Sequence, residues 1–139
     1  MKVLVDTSIW SLALRRNKPT GGHSERIELQ ELIKEVRVQL IGPIRQEILS
    51  GIKEQQQFLK LKQQLAAFPD LPLSSQDFEV AAEYFNLLRS KGIQGSNTDF
   101  LICAVASRNK LPIFTSDKDF IHYQQHLPIT LHTPRISEQ

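Results

Sequence analysis

The chain has 139 residues, enough for one domain with a sizeable core and too few for two. Hydrophobic residues make up 40% of it, without an apolar run near the roughly 20 residues of a membrane helix. The formal net charge of +2 excludes a general basic coat for nucleic acid but allows a local basic rim. The single cysteine, Cys103, excludes a disulfide framework, and no signal-peptide pattern opens the chain. We therefore expect a cytoplasmic protein without a membrane partner.

The hydrophobic pattern predicts strands that alternate with helices. The predicted order is a buried strand at 3–5, helices at 8–15 and from 24, a strand at 36–42, helices at 43–50 and up to 68, a very short strand between 69 and 72, helices at 74–91 and 98–109, a strand at 111–115, a short helix after 117 and a strand at 128–132. This alternation predicts a single α/β domain, with a parallel sheet and helices on both faces.

Carboxylates stand where several of these elements begin or end. Asp6 follows the first strand, Glu47 lies in the first two turns of the helix after the second, Asp99 opens the apolar helix and Asp117 follows the fourth strand. Each alone is explained by helix capping or by a solvated helix face. Together they fall at the carboxyl end of a right-handed α/β sheet, which is where such sheets form their sites.

Grouped carboxylates repel each other, and burial raises their pKa values unless a cation offsets the charge. An all-oxygen donor set favours Mg²⁺ or Mn²⁺ over Zn²⁺. The hydroxyls of Thr7, Ser8, Thr115 and Ser116 lie beside these acids and are candidates to orient them or to hold water.

Four blocks of the sequence resemble, in order and spacing, the blocks of PIN-domain ribonucleases, above all the toxins of VapBC toxin–antitoxin pairs. The blocks are VLVDTSIW, PIRQEILSG, TDFLICAVA and LPIFTSDKDF. The resemblance implies one PIN domain over residues 1–139, a three-layer sandwich with a five-stranded parallel sheet in the order 3-2-1-4-5. It also implies Mg²⁺- or Mn²⁺-dependent endoribonuclease activity, a homodimer and a cognate antitoxin.

Carried over block by block, the resemblance makes Asp6, Glu47, Asp99 and Asp117 the catalytic metal ligands, with Thr7, Ser8, Thr115 and Asp119 as their supports. Ser96 and Asn97 stand where many relatives carry a further acid, which bears on a second metal. Water activated by the metal is expected to leave a 5′-phosphate and a 3′-hydroxyl. Basic side chains at the rim are expected to hold RNA phosphates, with Arg15, Arg16, Lys18, Arg45, Arg108 and Lys118 as the candidates.

The main alternative is a catalytically silent PIN-like module that binds RNA or protein. An aspartyl phosphatase would need a second acid two residues after Asp6, where Ser8 stands. A phospho-accepting signalling domain would show paired acids at the first strand and a lysine after the last, and neither is evident. DNA is chemically possible as a substrate, since attack by water needs no 2′-hydroxyl, but the flap nucleases of this superfamily are much longer chains.

Overall fold

The computed structural model describes residues 1–14 and 21–135. Its elements are β1 (Val3–Val5), α1 (Thr7–Leu14), α2 (His23–Lys34), β2 (Val38–Gln39), α3 (Gly42–Ser50), α4 (Gln55–Leu65), α5 (Ser75–Ser90), α6 (Asn97–Asn109), β3 (Ile113–Phe114) and α7 (Asp119–Gln124). The predicted α/β class is confirmed, because a parallel sheet flanked by helices forms. No helix within the described ranges is both long and apolar enough to cross a bilayer.

The sheet has β1 at its centre. The order is β2-β1-β3 and both pairings are parallel, with Val3 opposite Val38, and with Leu4 opposite Ile113. Every residue of β1 is fully buried, as expected for a central strand covered on both faces. The chain therefore leaves the core abruptly at Asp6, next to the end of β3.

The predicted third and fifth strands are each present as one isolated parallel bridge. Leu40 pairs with Asp70 beyond β2, and Ile113 pairs with Leu131 beyond β3. Proline limits both ladders because it has no N–H to donate: residues 69 and 72 flank the first bridge, and residues 128 and 134 flank the second. Within the described residues the sheet has three strands, so the five-stranded order remains a prediction.

Helix α6 is buried along the middle of its length and contacts both α5 and β3. Its residues from Phe100 to Ala106 are all buried, as expected for a helix that is apolar nearly all round. Helix α5 packs along it and begins with the predicted pairing of Ser74 and Asp77, in which the Ser74 N–H donates to the Asp77 carboxylate at 2.8 Å. The start of α5 is also joined to the last turn of α6, where Arg108 pairs with Asp77.

The C-terminal segment (residues 128–135) is tied to α2 by a buried carboxylate. Glu28 is 2% exposed, and its carboxylate contacts the His132 ring at 2.6 Å and accepts from Arg135 Nε at 3.0 Å. Arg135 also pairs with Glu35 at 2.7 Å. These contacts link α2 to the chain that pairs with β3.

Candidate active site

Asp6 forms the floor of the site. It is 7% exposed, and its N–H donates to the carbonyl of Phe114 at 2.9 Å, which fixes it beside the end of β3. Its Oδ2 accepts hydrogen bonds from Ser8 and Thr115, both at 2.8 Å. The two hydroxyls fix the orientation of the carboxylate, and within the described ranges Oδ1 accepts no hydrogen bond.

The same hydroxyls fix the loop that follows β3. Thr115 Oγ1 accepts from the Asp117 N–H at 3.0 Å, and Ser8 Oγ accepts from the Ser116 N–H at 3.0 Å. The carboxylate of Asp117 in turn accepts from the Asp119 N–H at 2.9 Å. Asp119 thus contributes its backbone to the arrangement, while its own side chain is exposed.

Asp99 lies in the first turn of α6, which is capped by Ser96. Its N–H donates to Ser96 Oγ at 3.1 Å, and its Oδ2 accepts from the Tyr123 hydroxyl at 2.9 Å. Burial raises the pKa of the Asp99 carboxyl, and the negative charges of Asp6 and Asp117 raise it further, whereas hydrogen bonds to its carboxylate from the side chains of Tyr123 and Ser96 work to lower it. The charges of Asp6 and Asp117 therefore reach the Asp99 carboxyl.

Sequence reasoning missed Tyr123. Its ring is fully buried and packs against Phe100 with ring centroids 5.1 Å apart, while burial and the hydrogen bond to Asp99 raise the pKa of its hydroxyl. A Cβ at Gly95 would collide with that hydroxyl. Position 95 therefore suits glycine, because every other residue carries a Cβ. The i, i+3 spacing of Phe120 and Tyr123 indicated a buried face of α7 but not a polar contact made from it.

Glu47 stands at the exposed side of the site, on α3. Its Oε1 accepts from Thr7 Oγ1 at 2.8 Å, which joins α3 to the first residue of α1. Thr7 therefore positions Glu47, whereas Ser8 and Thr115 position Asp6. A cavity opens beside this pair and is lined by Thr7, Pro43, Gln46, Glu47, Ser50 and Thr98.

The donor set suits a hard divalent cation in chemistry and in charge. It consists of carboxylates that repel one another, one of them with a raised pKa, and such sites favour Mg²⁺ or Mn²⁺. In the part of the chain that the structure describes, no three His, Cys, Asp or Glu side chains stand close enough together to form a ready metal cage. The aspartates would have to converge around an ion.

Two of the basic candidates are engaged in structural contacts. Arg45 donates to Asp70 at 3.1 Å and to the carbonyl of Leu65 at 2.9 Å. Arg108 pairs with Asp77 and donates to Gln76 at 2.7 Å. Lys118 is exposed at the start of α7, next to Asp117. The remaining candidates, Arg15, Arg16 and Lys18, lie outside the described residues.

Fold and site together define an α/β protein with an acidic site at the carboxyl edge of a parallel sheet. The chain matches the family model of the PIN domain over residues 3–125 and belongs to that family. No curated protein is significantly similar to it in sequence.

Several solved structures share the fold. FitAcB from Neisseria gonorrhoeae is 21% identical, with a TM-score of 0.75 and coverage of 95% of this chain and 97% of that chain. VapBC2 from Rickettsia felis, bound to a DNA fragment from its promoter, is 21% identical, with a TM-score of 0.73 and coverage of 95% and 98%. VapBC-5 from Mycobacterium tuberculosis, of the VapBC family of toxin–antitoxin systems, is 20% identical, with a TM-score of 0.66 and coverage of 94% and 96%.

Proposed function

We propose that this protein is a metal-dependent endoribonuclease and the toxin of a VapBC-type toxin–antitoxin pair. The observation that carries the proposal is the placement of Asp6 and Asp117 at one edge of the sheet, where Thr115 Oγ1 donates to the Asp6 carboxylate and accepts from the Asp117 N–H. Asp99 opens α6 beside them, and their charges raise the pKa of its carboxyl. Membership of the PIN domain family and the fold shared with VapBC and FitAcB structures support it.

In this proposal Asp6, Glu47, Asp99 and Asp117 hold Mg²⁺ or Mn²⁺. A divalent ion supplies positive charge for the scissile phosphate and lowers the pKa of a bound water. Ser8 and Thr115 keep the Asp6 carboxylate in one orientation, and Thr7 does the same for Glu47. Tyr123 keeps its proton and donates to one oxygen of Asp99, which leaves the other oxygen for the ion.

The proposal extends to the assembly of the protein. Residues 1–139 form one PIN domain with the five-stranded order 3-2-1-4-5, the chain forms a homodimer, and a cognate antitoxin silences it in the cytoplasm. Basic side chains at the rim, with Lys118 next to Asp117, contact the RNA phosphates.

A silent PIN-like module that binds RNA or protein is the second candidate. One observation favours it: no group of three metal-binding side chains is preassembled within the described ranges. The two functions differ in their dependence on Asp6, because only hydrolysis requires its carboxylate.

Cleavage of total RNA by the purified protein tests the proposal, in Mg²⁺ or Mn²⁺ and in EDTA. Asp6→Asn is compared with wild type, and Glu83→Gln, an exposed acid on α5, is the matched control. We expect discrete fragments with 5′-phosphate ends from wild type and Glu83→Gln with metal only. Fragments that form equally with Asp6→Asn would contradict the catalytic assignment.

Metal binding is measured separately by thermal melting. An ion at one hundred times its Kd stabilises the folded state by about 2.7 kcal/mol, so Mn²⁺ should raise the Tm of wild type by several degrees and that of Asp6→Asn much less.

The cleavage assay is repeated after any co-purified partner has been washed off. RNA binding that is equal in wild type and Asp6→Asn, without cleavage or a metal-dependent rise in Tm, would favour the silent module.

A further inference from the structure

A polar cavity adjoins the acidic site on the side of Glu47. It has a volume of about 470 Å³, within the range of small-molecule sites in proteins. We call it the α3 cavity and define it by its lining residues, Thr7, Pro43, Gln46, Glu47, Ser50 and Thr98. Thr7 and Glu47, which are hydrogen-bonded to each other at 2.8 Å, belong to both the cavity and the acidic site. A molecule bound at the acidic site would therefore extend into it.

One face of α3 supplies most of the lining. Pro43, Gln46, Glu47 and Ser50 follow the spacing i, i+3, i+4 and i+7, which places them in one stripe on the helix surface. Thr98, in the first turn of α6, faces this stripe across the cavity. With Thr7 on α1, the cavity is thus lined by three helices and not by a loop.

The lining suits a neutral ring better than a phosphate. Among the described residues that line it, Glu47 alone is charged, and its carboxylate repels anions. The other polar groups are the hydroxyls of Thr7, Ser50 and Thr98 and the amide of Gln46. Gln46 is exposed, and its amide makes no side-chain hydrogen bond within the described ranges. The ring of Pro43 adds a flat apolar surface. A nucleobase combines an apolar face with donors and acceptors along its edge.

We propose that the α3 cavity binds the base of the nucleotide next to the scissile phosphate, and that Gln46 determines which base is accepted. The inference rests on the proposed function, because it assumes that RNA phosphate lies at the acidic site. The carboxamide of Gln46 presents one donor and one acceptor side by side. This amide selects a base that offers a hydrogen-bond acceptor and donor side by side on one edge, as adenine does. Bases in single-stranded RNA leave such edges free.

Cleavage of an RNA pool with random sequence tests the inference. Fragment ends are sequenced for wild type, for Gln46→Ala and for Gln63→Ala, which makes the same change on an exposed face of α4 outside the cavity. Thermal melting verifies that both variants fold. We expect wild type and Gln63→Ala to prefer one base beside the cut. Gln46→Ala should lose about tenfold of that preference, because its cleavage of RNAs with the preferred base should fall more than its cleavage of RNAs without it.

The outcomes separate the two levels of the proposal. If wild type and Gln46→Ala cleave with the same base profile, the base site is wrong while the nuclease function stands. An equal loss of cleavage on all sequences would also overturn it, because Gln46 would then only support Glu47. Absence of metal-dependent cleavage in wild type would overturn both.

Discussion

At the scale of single residues, Thr115 holds the two ends of the acidic site together. Its hydroxyl donates to Asp6 at 2.8 Å and accepts from the N–H of Asp117 at 3.0 Å. One side chain thus fixes a carboxylate that follows β1 and a backbone that follows β3. If Asp6 binds a metal ion as proposed, Thr115 orients that ligand, so Thr115 is a sensitive position for testing the site.

Thr115→Val retains the shape of the side chain and removes the hydroxyl. We expect RNA cleavage to fall by about 10- to 100-fold, with about 1.5–3 kcal/mol lost from the free energy of unfolding because a hydrogen bond to a charged group disappears. Cleavage rates and thermal melting measure the two effects, and Thr133→Val, at an exposed position, is the matched control. A normal cleavage rate in Thr115→Val would show that Asp6 needs no such support.

The sequence made the location of Asp6 and Asp117 predictable. Both follow buried strands, and the carboxyl ends of neighbouring parallel strands meet at one edge. The contact between Asp99 and Tyr123 was not predictable in this way, because it joins two helices 24 residues apart and no periodicity encodes it. The ion pair between Arg108 and Asp77 was missed for a similar reason. The sequence does not indicate whether a basic side chain in the last turn of a helix points into solvent or pairs with an acid on another helix.

At the scale of elements, the packing of α7 against the start of α6 depends on a residue without a side chain. A Cβ at Gly95 would collide with the hydroxyl of Tyr123 and lie 2.9 Å from Cζ of Phe100. Both rings are almost fully buried, so neither can move aside without disturbing the core.

We therefore expect Gly95→Ala to lower the free energy of unfolding by about 1–3 kcal/mol, as overpacking does, and to weaken cleavage by moving Tyr123 away from Asp99. Gly51→Ala is the matched control, because open space surrounds that glycine and its φ of −86° suits alanine. Thermal melting and cleavage assays measure both variants. Equal stability of Gly95→Ala and Gly51→Ala would show that the rings accommodate a methyl group.

The helices were more predictable than the outer strands. Helix α5 has apolar residues at regular spacing and a capping pair, so the pattern locates it closely. The outer strands have few residues between prolines, and only single hydrogen-bonded pairs form there, such as the Leu71 N–H to the carbonyl of Leu40 at 2.9 Å. An apolar run between two prolines indicates an extended segment but not how many ladder bonds it makes.

At the scale of the whole molecule, two buried carboxylates make folding sensitive to acid. Burial works to raise the pKa of Glu28, but the hydrogen bonds from His132 and Arg135 outweigh it, so the pKa lies below its ordinary value of 4.5. Asp77 behaves in the same way. Burial works to raise the pKa of its carboxyl, but the hydrogen bonds from the Ser74 N–H and from Arg108 outweigh burial, so the pKa is lowered. A carboxyl whose pKa is lowered by folding stabilises the protein above its unfolded pKa and loses that contribution as the pH falls through the folded value.

We expect the Tm of wild type to fall as the pH drops below about 4.5. Glu28→Gln should have a free energy of unfolding about 1–3 kcal/mol lower than wild type at pH 7. Its free energy of unfolding should fall less on acidification, so the difference in stability between wild type and Glu28→Gln should narrow towards pH 3. Glu31→Gln, on the same helix but partly exposed, is the control and should follow wild type. A gap between wild type and Glu28→Gln that is constant over this pH range would contradict the role of Glu28.

The hydrogen bond from Thr115 to Asp6 spans 109 positions of the chain. A ribosome adds about 5–20 residues per second, so roughly 5–20 seconds separate the synthesis of the two partners. Until β3 has emerged and paired beside β1, the acids that precede it have no common edge on which to meet. A growing chain therefore has no assembled acidic site until β3 and Asp117 have emerged from the ribosome and β3 has paired beside β1.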